Sequence, residues 1–189
     1  MSEAELSTNA PRIEPISPEL QEPLKSQMAK IFPEGLPAPS LYRTMARNES
    51  LFTDMIERRI IGRTGLLDRK TFPTRLRELL ILRTCVAARN EYEFNLHVRT
   101  ISQVMGLTKP EIDDVKNPDV DQALWAPREL ALLALIDGLV DNIEVKPAVF
   151  SNAREHFSDE ELLELTLLVG LYTAVSMVVA LANPEKDPY

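Results

Sequence analysis

Glu93 and His97 stand four residues apart in the stretch EYEFNLH. On a helix, residues at that spacing share a face. A carboxylate beside an imidazole raises its pKa and orients the ring, which suits a general acid or base near neutral pH. The same spacing also describes a surface ion pair worth about 0.3–0.5 kcal/mol, and the pattern alone leaves both readings open. A metal site is a third reading, with Glu93 and His97 as two ligands and Glu78 or His156 as another. Catalytic zinc favours histidine-rich ligand sets. With two histidines in the whole chain, the expectation is no metal. Cys85 lies in the apolar run LILRTCVAA and is expected to be a buried, inert thiol. As the single cysteine, it allows neither an internal disulfide nor a two-cysteine redox cycle within the chain.

Charge adds a second layer. The chain carries 21 Lys and Arg against 29 Asp and Glu, a formal net charge of −8. Affinity for nucleic acid comes largely from phosphate neutralisation, so an acidic chain is not expected to bind it. The charge is unevenly spread. From Arg58 to Arg99 there are ten basic residues and four acidic ones, a local balance of +6. Such a segment is either a solvated face paired with acidic stretches such as 155–164, or a positive field. A positive field would attract an anionic small molecule and keep nearby carboxylates ionised. The chain contains no GxGxxG, P-loop or GxSxG pattern, which argues against nucleotide-cradling folds and a serine-hydrolase elbow.

The elements that must hold these residues read as helices. A length of 189 residues suits one core, and no useful stretch alternates apolar and polar residues with period two. The expectation is an all-α helical bundle domain over 41–183, preceded by a proline-rich N-terminal arm over 1–40 that holds seven of the fourteen prolines. Within the arm, Ser17 and Pro18 are expected to start a short helix over 18–31. Residues 41–61 read as one or two helices stopped by Gly62 and Gly65, with Ser40 as a cap. Pro73 opens a stronger helix whose apolar face is Leu76, Leu79, Leu80, Leu82, Val86 and Ala87. A second helix is expected from about Asn90 to Met105, with Gly106 as its stop. Lys109-Pro110 starts a short one. Pro127 begins a long helix through Asp141, and Val145 to His156 forms another. Ser158 with Glu161 makes a capping box for the last.

That last helix includes 18 uncharged residues, Leu165 to Ala182, close to the minimum for a membrane span. Its Thr, Ser, Gly and Tyr content and its acidic N-terminal flank favour a helix buried in the core or by another subunit instead. Residues 1–10 are polar and acidic and resemble neither a signal nor a transit peptide. The expectation is a cytoplasmic protein with no membrane partner.

Residues 75–107, RLRELLILRTCVAARNEYEFNLHVRTISQVMGL, resemble the core motif of the carboxymuconolactone decarboxylase family, which includes the AhpD-like alkylhydroperoxidases. The likeness is carried by Arg77-Glu78-Leu79, Leu82-Arg83, Glu91-Tyr92-Glu93, His97 and Gly106-Leu107, and extends to Gly170 and Tyr172 in the tail. It implies an all-α fold assembling as a homo-oligomer, a trimer or hexamer, and the proline-rich arm is expected to wrap a neighbouring subunit. In the peroxidase branch two cysteines stand where this chain has Asn90 and Glu93, so the paired-thiol cycle is missing. The resemblance then implies a cofactor-free lyase or acid–base enzyme. It would act on a small anionic oxygenated ring compound, with His97 as proton donor or acceptor held by Glu78 and Glu93. Asn90, Tyr92 and Arg83 are the expected substrate contacts, with Arg89 a second choice for a substrate carboxylate. Two alternatives remain: a binding or structural oligomer without catalysis, and a thiol-dependent antioxidant protein working through Cys85.

Overall fold

A computed structural model describes residues 10–32 and 37–188, and every regular element among them is helical. The order is α1 (Leu24–Ala29), α2 (Ser40–Met45), α3 (Glu49–Glu57), a 3-10 turn (Leu66–Asp68), α4 (Thr74–Ala87), α5 (Glu91–Thr100), α6 (Lys109–Asp114), α7 (Pro127–Asp141), α8 (Pro147–Arg154) and α9 (Asp159–Ala182). The contacts divide the chain into two compact units. One contains the described residues of Met1–Arg69 together with Met177–Pro188; the other runs over Lys70–Ser176.

The first unit has a small core of Met28, Ala46, Phe52, Ile56 and Ile61, onto which Ile16, Leu20, Leu24 and Tyr42 pack. The proline-rich segment is tied to its own chain. Arg12 donates from its backbone to the Ala182 carbonyl at 2.8 Å and from its guanidinium to the Ala180 carbonyl at 2.9 Å. Residues 1–9, the start of the expected arm, lie outside the described residues. The single helix expected over 18–31 is shortened to α1. Pro23 lacks an N–H and its ring crowds the preceding turn, so the helix begins after it. Ser40 is the first residue of α2 rather than its cap, and its backbone N–H donates to Asp187 at 2.8 Å.

The second unit is organised around α4, which packs on α5 and α7. Leu76, Leu79, Leu80, Ile81 and Leu82 are all buried, and so are Glu78 and Arg83 among them. Proline marks the starts nearby. Pro73 precedes α4, and α6 and α7 carry Pro110 and Pro127 in their first turns, where a missing N–H costs nothing. Glu111 closes a capping box on Thr108, and Glu129 accepts from the Ala126 N–H at 3.0 Å. Ser158 and Glu161 exchange hydrogen bonds at the head of α9, the box read from the sequence.

Candidate active site

Glu78 sits in the middle of α4 and is fully buried. A buried carboxylate requires partners, and two are present. His97 Nδ1 lies 3.0 Å from Glu78 Oε1 and 3.1 Å from Oε2, and the Ser102 hydroxyl donates to Oε1 at 2.6 Å. On its other side, His97 Nε2 lies 3.6 Å from Glu93 Oε2, a charge contact longer than a hydrogen bond. The Tyr172 ring meets the imidazole edge-on, with centroids 5.8 Å apart.

The connection between α4 and α5 sets this geometry. Asn90 N–H bonds to the Cys85 carbonyl at 2.7 Å and Arg89 N–H to the Val86 carbonyl at 3.0 Å, the pair of bonds that defines a Schellman motif. Arg89 takes the left-handed conformation that the motif needs, with φ 56°. Asn90 then serves as the N-cap of α5, accepting from Glu93 N–H at 3.1 Å and donating to Ser176 at 3.0 Å. One tight turn therefore fixes the register in which Glu93 and His97 face Glu78.

The α5 helix ends at Thr100, five residues earlier than the sequence suggests. Ser102 folds back so that its N–H reaches the His97 carbonyl at 3.0 Å while its hydroxyl reaches Glu78. A carboxylate on another helix thus overrides the local helical pattern.

The electrostatics are mutual. Burial opposes the imidazolium of His97, but the charge and hydrogen bond of Glu78, followed by the charge of Glu93, outweigh it. The His97 pKa is raised above its ordinary 6.5. Burial likewise opposes charge on Glu78, and the His97 charge, the hydrogen bonds from His97 and Ser102, and the Arg77 charge bring its pKa below the ordinary 4.5. Both shifts favour the ionised carboxylate and the imidazolium, an arrangement in which Nδ1–H donates to Glu78.

Cys85 is 1% exposed. Burial, reinforced by the charges of Glu93 and Glu78, raises its pKa well above the usual thiol value. This keeps it a neutral thiol, the reverse of what a thiolate nucleophile requires. Among the described residues no group of three or more His, Cys, Asp and Glu is arranged to hold a metal ion.

The structure brings together His97, Glu78 and Glu93, with Asn90 behind them as the cap. Tyr92 is half-buried in the first turn of α5, about 100° round the helix from Glu93. Arg83 is committed elsewhere. Its guanidinium meets Asp137 at 2.6 Å through two nitrogens and donates to the Val115 and Asn117 carbonyls at 2.7 Å each. Ser102 and Ser176 have no signal in the sequence, because each acts through a partner distant along the chain. Tyr172 enters the sequence reading only through the likeness of the tail.

Residues 55–137 match the Carboxymuconolactone decarboxylase family. Over this segment the chain is similar to that family. Glu78, Glu93 and His97 all fall within it. Among solved structures, the fold is similar to that of a protein of unknown function from Agrobacterium tumefaciens, whose description offers the antioxidant defence protein AhpD as its candidate identity. The two share 19% sequence identity with a TM-score of 0.67, covering 77% of this chain and 97% of that one. At that identity the likeness establishes the fold. No curated protein matches the sequence.

Proposed function

We propose that the chain is a cofactor-free, carboxymuconolactone decarboxylase-like acid–base enzyme acting on a small anionic oxygenated ring compound. The observation that carries this reading is the two-oxygen contact of Glu78 with His97 Nδ1, which leaves Nε2 as the nitrogen that exchanges a proton. Decarboxylation breaks the bond from a ring carbon to its carboxylate. The electron pair passes into a neighbouring carbonyl, carbon dioxide leaves, and a proton must return to the carbon. His97 Nε2–H is the donor in this scheme and is reprotonated from solvent. Glu78 fixes the tautomer and keeps the ring charged, while Glu93 holds the proton on Nε2.

The test is carbon dioxide release from a panel of lactone carboxylic acids. His97→Gln is expected to lower turnover of an accepted substrate by about 10²–10⁴-fold. Unchanged turnover would remove His97 from the chemistry.

A second reading has one observation behind it: the His97 side chain is only 9% exposed. A fold that keeps the cluster as a structural ion pair would show no turnover with any lactone, and His97→Gln would change its stability alone.

The reading includes assembly of copies of this cytoplasmic chain through α9. On that helix Leu163 and Leu167 are 68% and 62% exposed, and the exposed Gly170 and Ala174 continue the row. This four-three spacing is the seam of paired helices, with small residues where backbones approach. Sedimentation of the double variant Leu163→Glu/Leu167→Glu as a smaller species than the wild type is the expected result. An unchanged sedimentation coefficient would overturn it.

A further inference from the structure

Roughly a third of a turn round α5 from His97, a cavity of about 440 Å³ opens between the end of α4, the start of α5 and the segment after α6. Its size falls within the range of about 300–1,000 Å³ typical of small-molecule sites. The walls are of two kinds. Val86, Phe94 and the neutral thiol of Cys85 give apolar surface, and Arg89 and Lys116 bring positive charge. The Lys116 ammonium stands 4.9 Å from the centre of the Phe94 ring, which fixes its direction.

The two cations differ from the arginines clamped in this unit. Arg75, Arg83 and Arg128 each meet a carboxylate at 2.7 Å or less. Among the described residues, neither Arg89 nor Lys116 enters an ion pair, in a chain where acidic residues outnumber basic ones. Arg89 also occupies the left-handed position of the Schellman motif, where glycine is the ordinary choice and a side chain brings strain. The backbone thus sets an exposed arginine on the lining of the cavity against its own preference. Glu91 lies on the same lining and leaves it one charge positive, enough for one carboxylate.

We propose that this cavity binds a small planar monocarboxylate, with its carboxylate between Arg89 and Lys116 and its flat apolar body against Val86 and Phe94. The site goes beyond the acid–base reading and stands whether or not His97 turns over a substrate. Charge-assisted bonds hold the carboxylate, with the guanidinium able to engage both oxygens. The neutral Cys85 thiol and the Asn95 amide face the body of the ligand without a charge to repel it.

The probe is benzoate against its neutral isostere benzamide, titrated into the full chain by calorimetry and by ligand-observed NMR. Benzoate is expected to bind at least about tenfold more tightly than benzamide. Arg89→Gly and Lys116→Gln are each expected to weaken benzoate by about tenfold and leave benzamide unaffected. Because φ at residue 89 is positive, Arg89→Gly is expected to keep or raise the melting temperature while losing binding. A merely structural arginine would give the opposite pattern. The same titration on His97→Gln is expected to match the wild type, which separates this site from the fate of the catalytic reading. Equal binding of the two probes, no loss in either variant, or no saturable benzoate binding would each overturn the proposal.

Discussion

Helix α4 carries two kinds of paired charge, and they are built differently. Toward its start, Arg75 binds Glu111 and Glu129, each of which also caps the helix it begins. Toward its end, Arg83 is closed by Asp137 and two carbonyls. In these clamps the charges are permanent and the donors are matched by acceptors. Between them lies Glu78, whose partner is an imidazole that also faces Glu93 at a distance too long for a hydrogen bond. The clamps can hold helices together and do little else. The central cluster holds an imidazole whose pKa is raised above its ordinary value, with Nε2 standing 3.6 Å from Glu93, beyond hydrogen-bond distance. Proximity of charge is common to all three, and what separates them is whether a proton can move.

The largest expected break in that comparison is kinetic. Glu78→Gln keeps the shape of the side chain but removes the charge that raises the His97 pKa, so turnover of an accepted substrate is expected to fall by about 10²-fold or more. The check is kcat at fixed pH beside that of the wild type. A comparable loss in Ser102→Ala is not expected, since Glu78 keeps its contact with His97. Next comes Arg83→Met, expected to lower unfolding free energy by about 3 kcal/mol in urea denaturation, because it strands Asp137 and two carbonyls. Arg75→Gln is expected to cost less, about 1 kcal/mol in the same measurement, since its side chain is 31% exposed and water can replace part of the contact.

These clamps also show what could be read from the sequence. Pro73, Pro110, Pro127 and the Ser158–Glu161 pair announce helix starts because capping and proline chemistry are local, and the structure has helices beginning at or beside each of them. The Glu93–His97 pair was legible for the same reason, lying within one turn. Glu78 as the holder of His97 was not legible from spacing, since 19 residues separate the two, and that role entered through the likeness to a family. The basic segment misled most. Its charge is visible in the sequence, but the acids that neutralise Arg75 and Arg83 are Glu111, Glu129 and Asp137, which only the fold brings near. The positive field is therefore weaker than the count suggests. The end of α5 was illegible because Ser102 answers to a carboxylate on a different helix.

The smallest expected effect is the most discriminating, because it concerns the shape of a pH profile. His97 has a folded pKa above its ordinary 6.5. Its contribution to stability is complete below that value and is lost as pH rises through the folded pKa. Glu78 has a folded pKa below 4.5, so its contribution is present above 4.5 and is lost as pH falls through the lowered value. The cluster therefore stabilises the fold most between these two ordinary values. Its contribution to the slope cannot exceed about 1.4 kcal/mol per pH unit for one proton. The clamp at Arg75 behaves otherwise. Glu111 titrates at about 2 and Arg75 is held more basic than usual, so nothing in that clamp changes charge on the alkaline side. Urea denaturation at about pH 6 and about pH 9 should then show the stability difference between wild type and His97→Gln shrinking with pH, while the difference between wild type and Arg75→Gln stays constant. If both differences were constant, the His97 pKa would be the same in the folded and the unfolded chain, and the distinction between a clamp and a proton-exchanging cluster would fail.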